Sequence, residues 1–160
     1  MKVKDLMVED VKCCVPFNSC NTAAELMWEN DCGCVPVIDH DRKVLGMLTD
    51  RDISMAAYTQ GLPLASIIVT SAMSKQVYSC RLDDELEKVE ATMLAHQVRR
   101  LPVLDHDQRL VGIISLSDIA REAQHEAEMR KPRMVGDLEV AQVLAAVCEP
   151  RHRIVVAHAA

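Results

Sequence analysis

The chain contains a second copy of itself. Shifted by 66 positions, Met7 falls on Met73, Val11 on Val77, Cys14 on Cys80 and Met27 on Met93. In the same register Pro36-Val37 falls on Pro102-Val103, Asp39-His40-Asp41 on Asp105-His106-Asp107, Gly46 on Gly112 and Asp52-Ile53 on Asp118-Ile119. Conservative pairs such as Thr49 with Ser115 and Lys43 with Arg109 lie between them, and no gap is needed. A register of this length marks a duplication. Two copies are too few for a solenoid, which needs three or more stacked units to bury a continuous core. They suit two similar halves related by a pseudo-twofold axis. The expected division is residues 1–62 for the first repeat, 67–128 for the second, and 129–160 for a C-terminal helical extension and tail.

Both copies read in the same order. Val11 to Val15 is a short apolar strand, and Asn18 or Ser19 can cap a helix through Ala23, Ala24, Leu26, Met27 and Trp28. The counterpart helix starts at Asp83 or Asp84 and carries Leu86, Val89, Met93 and Leu94 on one face. Val35 to Ile38 and Val44 to Leu48 read as strands around the polar turn Asp39 to Lys43. A second helix opens at Thr49 with Ile53, Ala56 and Ala57 apolar. The expected fold class is therefore α+β, two β-α-β-β-α units. Beyond the repeat, Gln124 to Arg130 continues as a charged helix that Pro132 stops. Leu138, Ala141, Leu144, Ala145 and Cys148 then have the spacing of an amphipathic helix ending near Pro150, covering a core edge or a dimer partner.

Composition narrows the partners. Hydrophobic residues make up 49% of the chain but aromatics only 2%, so the core must be aliphatic. Few aromatics leave little for stacking on single-stranded nucleic acid. A formal charge of −6 lacks the basic stripe that a duplex requires. No nucleic acid is expected. Nor is a membrane, because no apolar run approaches the ~18 residues of a span. The charged start Met1 to Asp5 does not read as a signal peptide. Seven cysteines, an odd number without a secretion signal, read as reduced thiols in a cytoplasmic protein.

One motif recurs where chemistry can happen. Gly46-Met47-Leu48-Thr49-Asp50-Arg51-Asp52 and Gly112-Ile113-Ile114-Ser115-Leu116-Ser117-Asp118 each set a hydroxyl three residues before a carboxylate, after an apolar strand. The plain reading is a capping box that satisfies the free amides of a helix start. The functional reading is a ligand site: a helix start favours phosphate, and a carboxylate accepts the two hydroxyls of a ribose. The two readings are compatible.

With these residues each copy resembles a CBS domain, the module named after cystathionine β-synthase and found also in IMP dehydrogenase and the gamma subunit of AMP-activated protein kinase. The similarity rests on Val35 to Asp39 with Val44 to Asp52, and on Arg99 to Asp105 with Leu110 to Asp118, and covers about residues 1 to 125. The resemblance implies two repeats packed through their sheets, with two clefts shared between copies. One would join Thr49 and Asp52 to Val77, Tyr78, Val98, Arg99, Arg100 and Pro102. The other would join Ser115 and Asp118 to Val11, Lys12, Cys32, Gly33, Cys34 and Pro36. It further implies an adenine nucleotide as ligand (AMP, ADP or ATP, with S-adenosylmethionine or NAD as variants) and a regulatory role toward an unknown partner, without catalysis. One of Arg99 and Arg100 is expected to face phosphate in the Thr49 cleft, where Tyr78 could lie against adenine, so that cleft is expected to bind more tightly.

Two other readings compete. Cys32-Gly33-Cys34 with Cys13, Cys14 and Cys20 invites a metal-binding or redox-responsive module. No Cys-x-x-Cys pair or zinc-finger spacing exists, however, and free cysteine is most often a small apolar filler. No metal is expected. A purely structural dimerisation domain is the other, and a homodimer is expected in any case. Ile53, Ala56, Ala57, Ile119, Ala120 and Ala123 offer an apolar helical surface for it.

Overall fold

The computed structural model describes residues 1–128 and 137–148. In the first repeat Ser19 closes the start of helix α1 (Cys20–Glu29) by accepting a hydrogen bond from the Thr22 amide. Strands β1 (Cys34–Ile38) and β2 (Val44–Thr49) form an antiparallel hairpin, and helix α2 (Asp50–Gln60) follows at once, stopped by Gly61 at φ 63°. After the one-turn helix α3 (Val69–Ala72) the order repeats: β3 (Cys80–Arg81), α4 (Leu86–His96), β4 (Arg100–Leu104), β5 (Leu110–Ser115) and α5 (Leu116–Glu128). Register repeats as well, since Cys34 faces Thr49 in one hairpin and Arg100 faces Ser115 in the other. The fold is α+β, as expected.

The expected Val11–Val15 strand shrinks to a single parallel bridge between Cys14 and Val37. Its extension is blocked locally: the Val15 amide is taken by the Asn18 side chain at 2.8 Å, and Pro16 has no amide to give. In the second copy the matching contact grows to the two residues of β3, parallel to β4. Helix α4 begins later than expected, with Glu85 before its first residue, because Asp84 instead accepts the Arg81 amide at 2.9 Å in the preceding turn.

The two cores do not follow the two copies. Val3, with Met1, Leu6 and Met7 around it, packs into the core of the second repeat among Leu86, Val89, Met93, Leu101 and Ile114. Its repeat partner Val69, with Ile67, Leu64 and Met73, packs into the core of the first among Cys14, Ala23, Val35 and Leu48. Each half thus receives the leading segment of the other. Burying a valine side chain stabilises by about 1.5–3 kcal/mol, and both valines are fully buried. Backbone bonds from Val3 to Asp84 and from Lys4 to Leu82, with Lys4 Nζ 3.0 Å from Asp83, hold the leading segment in place. Where the hairpin turns meet, the Leu110 amide donates to the Arg42 carbonyl and the Arg42 guanidinium donates back to that of Leu110.

The cores are aliphatic, as the composition requires. Phe17, Trp28 and Tyr58 are each more than four-fifths exposed. Of the residues expected at a dimer surface, Ile53, Ala56, Ile119 and Ala123 are instead buried in the chain's own cores, because these faces of α2 and α5 lie on their own sheets, while Ala57 is half-buried and Ala120 exposed. The last helix, α6 (Asp137–Cys148), covers the second core. Its buried face is Val140, Val143 and Val147, while Leu144 is half exposed and Ala141 and Ala145 point outward. This differs from the expected stripe by one step around the helix. The Gln97 side chain ties α4 to α6 by donating to the Ala146 carbonyl at 3.2 Å. Pro132, Pro150 and the tail from 149, named in the sequence reading, lie outside the described residues, as do the side chains of Leu138 and Cys148. Among the described residues no helix is long and apolar enough to cross a membrane.

Candidate functional site

The two hydroxyl–aspartate pairs sit where a strand turns directly into a helix. Thr49 ends β2 and Ser115 ends β5, each immediately before the first helical residue. Asp52 Oδ2 accepts from the Thr49 amide at 2.9 Å and hydroxyl at 2.7 Å, while the Asp52 amide donates back to Thr49 Oγ1 at 3.2 Å. Asp118 repeats this with Ser115 at 2.8, 2.6 and 3.3 Å. Both are reciprocal caps, so the plain reading is correct. The other oxygen of Asp118 is paired as well, with the exposed Arg121 one turn along α5.

Beside Ser115 and Asp118 lies a cavity of about 460 Å³ shared by both repeats. The first contributes Val8, Asp10, Val11, Lys12 and the stretch Asn30, Asp31, Cys32 and Cys34, and the second Arg100, Ile113, Ser115, Ser117, Asp118 and Arg121. Of the residues expected here, Val11, Lys12, Cys32, Cys34, Ser115 and Asp118 line it. Pro36 is buried within β1, and a Cβ on Gly33 would stand 3.4 Å from both Arg100 Nη2 and Asp50 Oδ2.

Arg100 stands between the two expected sets. It was expected with Thr49 and Asp52; it lines the Ser115–Asp118 cavity, and its Nη2 also comes near Asp50 at the start of the Thr49 helix, both lying 3.4 Å from where a Gly33 Cβ would stand. The cause is register: Arg100 on β4 stands directly opposite Ser115 on β5, and opposed residues share one face of a sheet. It is half-buried, and its guanidinium makes no hydrogen bond or ion pair among the described residues. Lys12, by contrast, turns to Asp10 at 2.8 Å. Arg99 is exposed, and its carbonyl accepts the Leu116 amide at 2.9 Å.

The other expected set is arranged differently. Val98 and Tyr78 pack against the second core, Pro102 is buried in β4, and Val77 is half-buried. Tyr78 is stacked on His96, ring centroids 3.7 Å apart and planes 11° from parallel. One face of the ring expected for adenine is already occupied. Sequence reasoning missed His96, and also Arg121, whose signal was its position three residues after Asp118 on one helix.

The thiols are mostly quiet. Burial pushes Cys34 up to about 11, against the pull of nearby Arg100, and pushes Cys14 up to about 11 and Cys80 up to about 12. Six cysteines are free among the described residues. The one group of three potential metal ligands found there is Asp39, His40 and Asp41, on a surface turn. Asp39 already accepts the Asp41 and Lys43 amides at 2.9 Å each.

Comparison with known proteins gives this geometry a context. The family model described as the CBS domain matches residues 3–58 and again 68–125. Hypoxic response protein 1 of Mycobacterium tuberculosis is 31% identical over 147 residues, covering 92% of this chain and 94% of that protein. A crystal structure of hypoxic response protein I with two coordinated zinc ions superposes with a TM-score of 0.69 at 33% identity, covering 76% of this chain and 98% of that one. The crystal structure of CBSX2 in complex with AMP gives 0.69 at 27% identity, covering 79% and 98%.

Proposed function

The chain belongs to the CBS-domain family, and on that premise we propose that it is a non-catalytic regulatory module that binds an adenine nucleotide in the Ser115–Asp118 cleft. The observation that carries the reading is Arg100, a half-buried guanidinium with no partner among the described residues, in the same cavity as a helix start and its carboxylate. A planar fork of donors suits phosphate. The start of α5 adds a favourable dipole. On this reading Asp118 receives ribose hydroxyls on Oδ1 once the exposed Arg121 swings off it, and Val8, Val11 and Ile113 supply apolar wall for a base. AMP bound to CBSX2 supports an adenosine ligand. AMP, ADP, ATP, S-adenosylmethionine and NAD form the panel to compare.

This ranks the clefts opposite to the sequence expectation, since the cation expected at Thr49 faces Ser115. Isothermal titration with AMP tests it. The parent protein is expected to bind, and Arg100→Ala to lose about 10- to 150-fold, as for a charge-assisted bond worth about 1.5–3 kcal/mol. Equal affinity of parent and variant for every phosphorylated ligand would remove the reading. The homodimer belongs to the same proposal, with the exposed Met55 and Tyr58 of α2 as contact surface in place of the buried small residues. A monomer mass by light scattering at micromolar concentration would remove that part.

A further inference from the structure

The lining of the open cavity can be carried to the other half of the molecule through the repeat. Two of its positions, Lys12 and Asn30, become Tyr78 and His96 when 66 is added to each. In the open cavity the lysine swings out to Asp10 and the asparagine is exposed, its amide donating to the Leu26 carbonyl at 2.8 Å, so neither fills the space between them. In the other half the same two positions hold rings in face-to-face contact, with Tyr78 anchored on the second core and His96 laid over it from the end of α4. The backbone prepares this placement: Gln97, next to His96, adopts φ 51° and its counterpart Asp31 φ 47°, so both copies turn sharply at this point.

We infer that the Tyr78–His96 stack closes the Thr49–Asp52 cleft, so that the protein takes one nucleotide per chain, in the Ser115–Asp118 cleft. This deepens the nucleotide-binding reading and rests on it. The duplication supplied two equivalent hydroxyl–aspartate starts. Two aromatic rings at these positions leave one of them a purely structural cap. Tyr78 and His96 are thus the residues that set stoichiometry. Ligand entry at the Thr49 start requires the rings to part and Tyr78 to leave its packing.

The test is to return the first copy's residues to the second. Titration calorimetry with AMP on the parent is expected to give one site per chain. Tyr78→Lys with His96→Asn is expected to give two, the original site keeping its affinity. That retained site also reports that the variant is folded. If the double variant loses the original site too, His96→Asn alone, which removes only an exposed ring, carries the test and is expected to add a weaker second site. Two sites in the parent, or one site in both variants, would overturn the inference while leaving the nucleotide reading intact. No binding by the parent to AMP, ADP or ATP would overturn both.

Discussion

Replacing Asp118 and, separately, Asp52 by alanine pulls apart the two jobs of a carboxylate at a helix start. As caps the two are nearly identical. Asp118 Oδ2 accepts from Ser115 at 2.8 and 2.6 Å, and Asp52 Oδ2 accepts from Thr49 at 2.9 and 2.7 Å. Losing a cap costs about 0.5–2 kcal/mol. For a chain of this size each kcal/mol moves Tm by about 2–4 °C, so both variants are expected to melt about 1–8 °C below the parent. Asp118→Ala belongs at the upper end, because Asp118 is only 6% exposed.

As ligand groups the two aspartates should differ sharply. Only Asp118 faces the open cavity, so only its loss removes charge-assisted bonds to a ribose, for about a 10- to 150-fold weaker Kd. Asp52→Ala is expected to bind AMP like the parent. Differential scanning fluorimetry without ligand reads the first effect, and calorimetry with AMP reads the second. An Asp118→Ala protein that melts like the parent would refute the capping argument. An equal loss of affinity in both variants would refute the single open cleft.

Other outcomes follow from the exchanged segments and the thiols. A Cβ at Gly46 would meet the Ser74 carbonyl at 2.8 Å, whereas one at Gly112 would meet the Val8 carbonyl at 3.2 Å; the other close atom in each case is a methionine sulfur. The sulfur can move and the hydrogen-bonded carbonyl cannot, so Gly46→Ala is expected to cost about 1–3 kcal/mol and Gly112→Ala less, the reverse order of Tm refuting this. Cys14, Cys34 and Cys80, held protonated by burial, contribute stability that is complete below the ordinary thiol value of 9.0 and is lost as pH rises toward about 11 and about 12. Urea midpoints should therefore fall between those values, and replacing Cys34 by serine should flatten the fall. Alkylation followed by mass spectrometry should find Cys32, half-buried on the cavity, slowed by AMP, and Cys13 unaffected. Hydrogen exchange of the Val8 and Ile113 amides, which bond reciprocally at 2.9 Å beside the cavity, should slow with AMP, while the equivalent Met47–Ser74 pair should not change.

The sequence made the duplication, the hairpins and both caps legible because each depends on residues close in the chain. Ser19, Thr49 and Ser115 act within three residues, and a hairpin register is carried by its own turn. What escaped depends on distance. The exchange of Val3 and Val69 between cores leaves no local sign, since an apolar residue reads alike whichever sheet it packs against. Arg100 was assigned to the opposite repeat because family resemblance describes a shared cleft, while register on its own hairpin decides which face its side chain takes. Tyr78 and His96 are 18 residues apart by number and look unrelated until the topology lays the end of α4 beside the segment before β3. In α6 both Val140–Val143–Val147 and Ala141–Leu144–Ala145 have helical spacing, and only the neighbouring α4 selects the first.

The position of the open cleft bears on how a ligand here can be felt elsewhere. Val8 is the last residue of the leading segment, whose earlier residues belong to the second core, and it bridges Ile113 on β5. Only a few residues later Val11 and Lys12 have crossed to the first half, where Cys14 bridges β1. The chain therefore passes between the halves along one wall of the cavity. Asn30, Cys32 and Cys34 form the facing part from the first half, and Arg100, Ser115 and Asp118 the floor from the second. A nucleotide held by Asp118 and Arg100 on one side and Val11 on the other gains its contacts only when the halves keep this relation. Binding energy is thus coupled to the relative placement of the two repeats, and a ligand can shift that equilibrium by as much as it prefers one placement over another. A closed Thr49 cleft makes no such differential contact, so on the inference above only one of the two pseudo-symmetric junctions responds to ligand.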